Sequence, residues 1–159
     1  MMRDISIRAA ATGEWVPLAD LLELTGLDTS DVDLARTTLH VAVAAKVIAG
    51  CAGAERHGTT AVVGPVAVLP DYREQGIASH LVQAALMRAQ ADGCRLAVVL
   101  SMSCANFFCR HGFSLTPYSA LPNEVRAAKA YQRANSQAGQ CMTRDLTRGW
   151  NTWMHSNSH

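Results

Sequence analysis

The stretch from Val66 to Leu86, VAVLPDYREQGIASHLVQAAL, constrains the fold of this 159-residue chain more than any other. Val62, Val66 and Val68 fall on one face of an extended run that stops at Pro70. The turn Asp71-Tyr72-Arg73-Glu74-Gln75-Gly76 follows. Ile77, Leu81, Ala85 and Leu86 then recur at helical spacing, predicting an amphipathic helix of about four turns. A strand that enters a helix through a turn bearing Arg and Gly suits an anion. The first amides of the helix lack partners, and its dipole favours negative charge there. Arg73 adds a permanent positive charge, Gly76 admits close approach of the backbone, and Ala78 keeps the next turn slim. The same residues also describe an ordinary strand-to-helix connection, so the rest of the chain has to decide.

Length and composition narrow the choice. A chain of 159 residues, 49% apolar and with a formal charge of +1, predicts one domain with a substantial core. That balance favours neither disorder nor a surface for nucleic acid. No apolar run reaches the ~20 residues that span a bilayer, and Met1-Met2-Arg3-Asp4-Ile5 lacks the apolar stretch of a signal peptide. Five cysteines, at 51, 94, 104, 109 and 141, form no Cys-x-x-Cys pair, so reduced thiols in apolar settings and a cytoplasmic location are expected. His155 and His159 are spaced as metal ligands but lack a third partner, and no metal site is assigned.

Along the chain, Ser6–Ala9 reads as a first strand and Glu14–Thr25 as a helix carrying Trp15, Leu18, Leu21 and Leu22. Residues 27–36 read as an acidic connection or a short second helix. Leu39–Ala44 and Val47–Ala54 are two antiparallel strands joined near Lys46, and Thr60–Leu69 is a long fourth strand in which Gly64-Pro65 predicts a bulge. Cys94–Leu100 is a fifth, buried strand. A short helix follows and ends at Gly112, and Phe113–Leu115 is a sixth strand. Pro122–Arg133 reads as one helix, Gln140–Leu146 as the last strand, and residues 147–159 as a tail.

The spacing Arg73-x-x-Gly76-x-Ala78 is neither the Walker loop nor the dinucleotide fingerprint. It resembles the pyrophosphate loop of the GNAT acyltransferases, written there Gln/Arg-x-x-Gly-x-Gly/Ala. Asn106-Phe107-Phe108-Cys109-Arg110-His111-Gly112-Phe113 agrees with it, being similar to the GNAT pattern in which a short helix after the fifth strand ends in Gly-Phe. The resemblance runs from Ile5 to about Leu146. It implies a single GNAT domain over residues 1–159 with an α/β (α+β) fold. Its central sheet would be mixed, mostly antiparallel, splayed between strands 4 and 5, and flanked by helices.

It also implies acetyl-CoA as co-substrate, without a metal. The pantetheine arm would add to the strand at Val66, Ala67 and Val68. Arg73, Glu74, Gln75, Gly76, Ile77, Ala78 and Ser79 would hold the pyrophosphate, and Asn106 and Phe108 would complete the cofactor contacts. The Val66 amide is the expected polariser of the thioester carbonyl. Many GNAT enzymes place a Tyr general acid where this chain has Phe108, which has no proton to give. Cys109, Tyr118 and water stay open as proton donors. Glu55, His57 and His40 stay open as bases, beside water.

The pair Phe107-Phe108 with Arg110, Gly112 and Phe113 looks like one corner of the family, the acetyltransferase domain of N-acetylglutamate synthase and the acetyltransferases of arsenic-resistance operons. That likeness implies a small, amino-acid-like amine as acceptor, whose carboxylate Arg126 and Arg133 would bind through their planar forks. The chain lacks the synthases' kinase domain, and Gly64-Pro65 replaces polar and basic residues common in them. Two alternatives remain, an acyl-CoA sensor without catalysis and an acetyltransferase for protein Nα or Lys amines. GNAT proteins often dimerise, so a homodimer is the expected protein partner, with Trp150 and Trp153 of the tail as contact residues.

Overall fold

The computed structural model describes residues 4–27, 29–134 and 139–147. Strands β1 (Ile5–Ala9), β2 (Thr37–Ala44), β3 (Val47–His57), β4 (Thr60–Val68), β5 (Leu96–Val99), β6 (Ser114–Pro117) and β7 (Gln140–Asp145) form one mixed sheet in the order β1-β2-β3-β4-β5-β7-β6. The helices among the described residues are α1 (Trp15–Leu24), α2 (Ile77–Ala91), α3 (Ala105–Arg110) and α4 (Lys129–Ala134). Met1–Glu55 with Val63–Met87 forms one compact unit, and Arg56–Val62 with Arg88–His159 forms a second. No helix of the described residues is long and apolar enough to cross a membrane.

The first unit is an antiparallel meander. β1 pairs with β2 from Ile5↔Ala44 to Ala9↔His40, and β2 pairs with β3 from Thr37↔Glu55 to Ala44↔Val47. Ala45 and Lys46, at φ of 48° and 68°, make the two-residue turn whose twist matches the flanking strands. Leu18, Leu21 and Leu22 of α1 pack on Val41, Cys51 and Ala67, a row contributed by β2, β3 and β4. Burial there pushes the Cys51 thiol up to about 12, so it packs as a small hydrophobe. The opposite face meets α2 at Gly50, where an added Cβ would lie 2.9 Å from the Ala67 carbonyl oxygen and 3.2 Å from Leu81. β3 has a glycine there because the Ala67 carbonyl of β4, with Val68 and Leu81 beside it, leaves no room for a side chain.

In the second unit β5 runs parallel to the start of β4, from Thr60↔Leu96 to Val62↔Val98. β7, the last strand in sequence, lies between β5 and β6 and pairs with both antiparallel. The core gathers Val62, Val98, Leu100, Tyr118, Leu121, Val125, Ala128, Tyr131 and Cys141. One expectation from the sequence fails here. The single helix expected over Pro122–Arg133 is instead a 3-10 turn, Asn123–Ala127, then α4, separated by Ala128 in an extended conformation (ψ 132°). Val125, Ala128 and Tyr131 all enter the core, and that three-residue period suits a 3-10 turn and drifts off one face of an α-helix. Glu124 anchors the turn by accepting from the Thr60 hydroxyl at 2.6 Å.

The start of the first unit carries a charge-coupled cap. Arg8 reaches Glu14 through two hydrogen bonds of 2.7 Å, and the Ala11 amide donates to the same carboxylate at 2.7 Å. The Arg8 bonds first, and the Ala11 amide second, lower the Glu14 carboxyl from 4.5 to about 2. A depressed folded-state value stabilises the fold above the unfolded value, and that stabilisation is lost as pH falls toward the folded value. Glu14→Gln is therefore expected to melt below the native chain at neutral pH, with the gap closing between about pH 4.5 and 2. A gap of the same size at pH 7 and at pH 2, followed by circular dichroism, contradicts the assignment.

Candidate functional site

The strand end and the loop expected to bind an anion lie in the same unit. β4 ends at Val68, a 3-10 turn spans Pro70–Tyr72, and Arg73–Gly76 lead into α2. The Leu69 amide donates to the Ala49 carbonyl at 2.8 Å, so Leu69 faces β3. Along an extended strand the N–H and C=O of one residue point to the same edge, and successive residues alternate. Val68 and Val66 therefore turn their amides and carbonyls to the edge of β4 away from β3. The register with β5 covers Thr60–Val62 and does not reach that stretch. The peptide between Gly64 and Pro65 is cis, and it follows the part of β4 that pairs with β5.

The loop is folded by its own backbone. The Tyr72 amide donates to the Leu69 carbonyl at 2.9 Å, and that of Arg73 to Pro70 at 3.3 Å. Glu74 and Gly76 sit at φ of 63° and 78°, alternate positive values that turn successive amides toward one concavity of the kind that holds anions. The Gln75 side chain donates to the Asp71 carbonyl at 3.4 Å, tying the loop across its base. The His80 amide donates to the Gly76 carbonyl at 3.2 Å. Among the described residues, the amides of Gln75, Gly76, Ile77 and Ala78 have no backbone acceptor. The first turn of α2 carries no acidic side chain. Arg73 is exposed beside these amides, and its Nε–H donates to the Val68 carbonyl at 2.9 Å. The result is a set of donors fit for a phosphate group, next to a strand edge fit for an amide-bearing chain.

Residues 35–115 match the family described as the acetyltransferase (GNAT) domain. The chain belongs to the GNAT acetyltransferase family. No curated protein matches it in sequence. Among solved structures it is similar to N-acetylglutamate synthase from Neisseria gonorrhoeae, with a TM-score of 0.73, 21% identity, and coverage of 93% of this chain and 36% of that one. It thus spans about a third of the synthase's length. It is also similar to a GNAT acetyltransferase from Staphylococcus aureus, with a TM-score of 0.72, 16% identity, and coverage of 91% and 100%. A third is a GNAT acetyltransferase from Elizabethkingia anophelis with acetyl-CoA bound, with a TM-score of 0.66, 20% identity, and coverage of 89% and 98%. At these identities the likeness is one of fold.

The second GNAT signature is built as its sequence indicates. The Phe113 amide reaches back to the Phe108 carbonyl, and that of Gly112 to Cys109, both at 3.1 Å, while Gly112 takes a φ of 84°. This double bond pattern ends α3 and places the Phe113 ring against Phe108, with centroids 5.4 Å apart. Phe108, at the position of the family's common Tyr acid, is buried. Its ring serves the end of the helix. Arg144 of β7 donates to the His111 carbonyl at 2.9 Å and so places a cation at the C-terminus of α3.

Other candidates divide between the two units. Glu55 and His40, in the first unit, are both buried but lie on opposite faces of the sheet. His40 pairs with Ala52, so it shares a face with Gly50 and α2, whereas Glu55 shares the α1 face with Cys51. His57, Asn106, Cys109, Tyr118, Arg126 and Arg133 belong to the second unit, where Asn106 and Arg126 are exposed and Arg133 lies in α4. Cys109 is exposed rather than packed in apolar surroundings, because the short α3 buries only Phe108. Cys104 is exposed as well, while Cys51, Cys94 and Cys141 are buried. The Tyr118 hydroxyl donates to the Leu100 carbonyl at 3.1 Å within the core, and burial raises its pKa. A hydroxyl so engaged supports the core and is poorly placed to give up its proton. No group of three or more metal-ligating side chains occurs among the described residues, and His155, His159, Trp150 and Trp153 lie outside them.

Sequence reasoning missed the bond from Arg73 to Val68 and the anchor from Glu124 to Thr60, because neither is local in a way that residue spacing reports. Gly76 gives a direct test of the loop. A Cβ there would come no closer than 4.0 Å to its nearest neighbour, His80 Cε1, so Gly76→Ala adds no clash and its cost is the left-handed backbone. We expect a loss of about 1–2 kcal/mol in chemical denaturation. An unchanged midpoint would contradict the loop conformation.

Proposed function

We propose that this chain is an acetyl-CoA-dependent N-acetyltransferase whose acceptor is the amine of a small, amino-acid-like molecule. The observation that carries the reading is the pairing, within one compact unit, of the outward edge at Val66 and Val68 with the donor-rich loop from Arg73 to Ala78. The pantetheine arm adds to the edge along Val66, Ala67 and Val68. Arg73, Glu74, Gln75, Gly76, Ile77, Ala78 and Ser79 surround the pyrophosphate, and Asn106 and Phe108 contribute to the rest of the cofactor. The synthase and the Elizabethkingia protein were solved with coenzyme A and acetyl-CoA respectively, which supports this choice of donor.

In the reaction the amine lone pair attacks the thioester carbonyl carbon. The Val66 N–H donates to the oxygen as negative charge develops on it. The C–S bond then breaks, the thiolate takes up a proton, and the new amide nitrogen loses one. Phe108 cannot supply the thiolate's proton, and Tyr118 is occupied, which leaves solvent or the exposed Cys109. Glu55 is the carboxylate proposed for the amine's proton, with water beside it. Arg126 and Arg133 are proposed to hold the acceptor's carboxylate. The synthase was solved with N-acetyl-glutamate, an acetylated amino acid, and this supports an amino-acid-like acceptor. The proposal extends to a cytoplasmic homodimer in which residues 1–159 act as one catalytic domain, within the same corner of the family as the arsenic-operon enzymes.

Release of coenzyme A, followed by mass spectrometry because Cys104 and Cys109 would react with thiol reagents, tests the reading. Acetyl-CoA with a panel of amino acids and arsenical amino acids is expected to release coenzyme A only when an amine is added. Arg73→Glu is expected to raise the KM for acetyl-CoA by about tenfold or more, since it sets a carboxylate against the phosphates. Tight coenzyme A binding with no turnover across a broad panel of small, peptide and Lys amines would replace the transferase with an acyl-CoA sensor.

A further inference from the structure

The bond from Arg73 to Val68 assigns that arginine a task apart from its charge. Val68 ends β4, and its carbonyl points to the edge on which, under the reading above, the pantetheine arm adds. A pantetheine amide arriving at that edge needs a carbonyl to accept its N–H. Val66 and Val68 each present one. The Arg73 Nε–H already donates to the Val68 carbonyl at 2.9 Å, whereas the Val66 carbonyl has no such side-chain cap among the described residues.

We propose that Arg73 is a positioning residue that sets the register of the donor, by capping the last carbonyl of the edge so that the arm pairs at Val66. The same bond orients the Val68–Leu69 peptide, whose N–H is held from the other side by Ala49 at 2.8 Å. With both edges of that peptide fixed, the Val68 carbonyl stays in the plane of the sheet, two residues from the Val66 amide that meets the thioester. A shift of one pairing step along the edge is two residues, about 6–7 Å, which would carry the carbonyl away from Val66 altogether. The inference rests on the donor reading and adds to it the way the arm is aligned.

Side-chain chemistry makes this separable from phosphate binding. The donor of Arg73 to Val68 is Nε, the fourth atom out from Cα, and the amide nitrogen of Gln stands at that same place. The ammonium of Lys stands one atom further and has no donor there. Gln keeps the cap without the charge, and Lys keeps the charge without the cap.

The test compares Arg73→Gln, Arg73→Lys and Arg73→Met in the full chain, by calorimetric binding of coenzyme A and of pantetheine, which has no phosphate. Melting temperature serves as the check on folding. Pantetheine affinity is expected to hold within about twofold in the Gln variant and to fall about three- to tenfold in both Lys and Met, as for an uncapped strand end that holds the binding orientation only about a tenth to a third of the time. Pantetheine affinity unchanged in all three, or retained by Lys and lost by Gln, would overturn the inference and leave Arg73 as a phosphate ligand only. So would native protein that binds coenzyme A but shows no affinity for pantetheine. Native protein that binds neither molecule would take down the donor reading itself, and this inference with it. If the melting temperatures of Lys and Met fall while Gln holds, pantetheine affinity is compared at a temperature where all three are folded, and the same order decides.

Discussion

The peptide between Val68 and Leu69 is held on both edges, and the site depends on it. Its N–H is fixed to β3 through Ala49 and its C=O to the anion loop through Arg73. The first bond decides which residues of β4 face outward, so it turns Val66 and Val68 into an edge with free amide geometry. The second ties the guanidinium to the end of that edge. Neither a strand edge nor a helix start is distinctive alone. Joined by one peptide, they put an outward strand edge next to a donor-rich loop, the two kinds of surface that the proposed coenzyme A thioester would need.

Much of this was legible in the sequence because it is local. The helix carrying Ile77, Leu81, Ala85 and Leu86 is written in its period, and those residues are buried as expected. Gly112 and Phe113 announce the end of α3, because a left-handed residue followed by an apolar one is a short-range pattern. Strand existence was also readable. The position of β7 between β5 and β6 was not, since pairing between segments distant in sequence leaves no periodic trace. The break at Ala128 escaped for a related reason. The core of the second unit imposes a three-residue period on Val125, Ala128 and Tyr131, overriding a segment whose composition favours one helix.

The candidate site divides along the same line. Backbone donors follow from the turn and the helix start, which the sequence specifies. The proton-handling groups depend on which partner a side chain finds. The sequence leaves Tyr118 open as a proton donor, and its hydroxyl is taken by the Leu100 carbonyl. Cys109 looked packed and is exposed, because a six-residue helix has only one side to bury. Phe108 fills the common acid position with a ring that packs on Phe113. Under the proposed function, an enzyme built this way would rely on positioning and on the Val66 amide more than on a dedicated acid. Loss of proton assistance typically costs 10²–10⁴-fold, a range that the alignment of reactants can exceed.

The central claim is that Val66 to Ala78 holds an acyl-CoA donor. Amide resonances of the full chain, followed during a titration with coenzyme A, test it most directly. The account predicts saturable shifts that are largest at Val66, Val68 and Gln75 to Ala78, all with one dissociation constant. Coenzyme A binding that leaves those amides unmoved and shifts another part of the chain would contradict it.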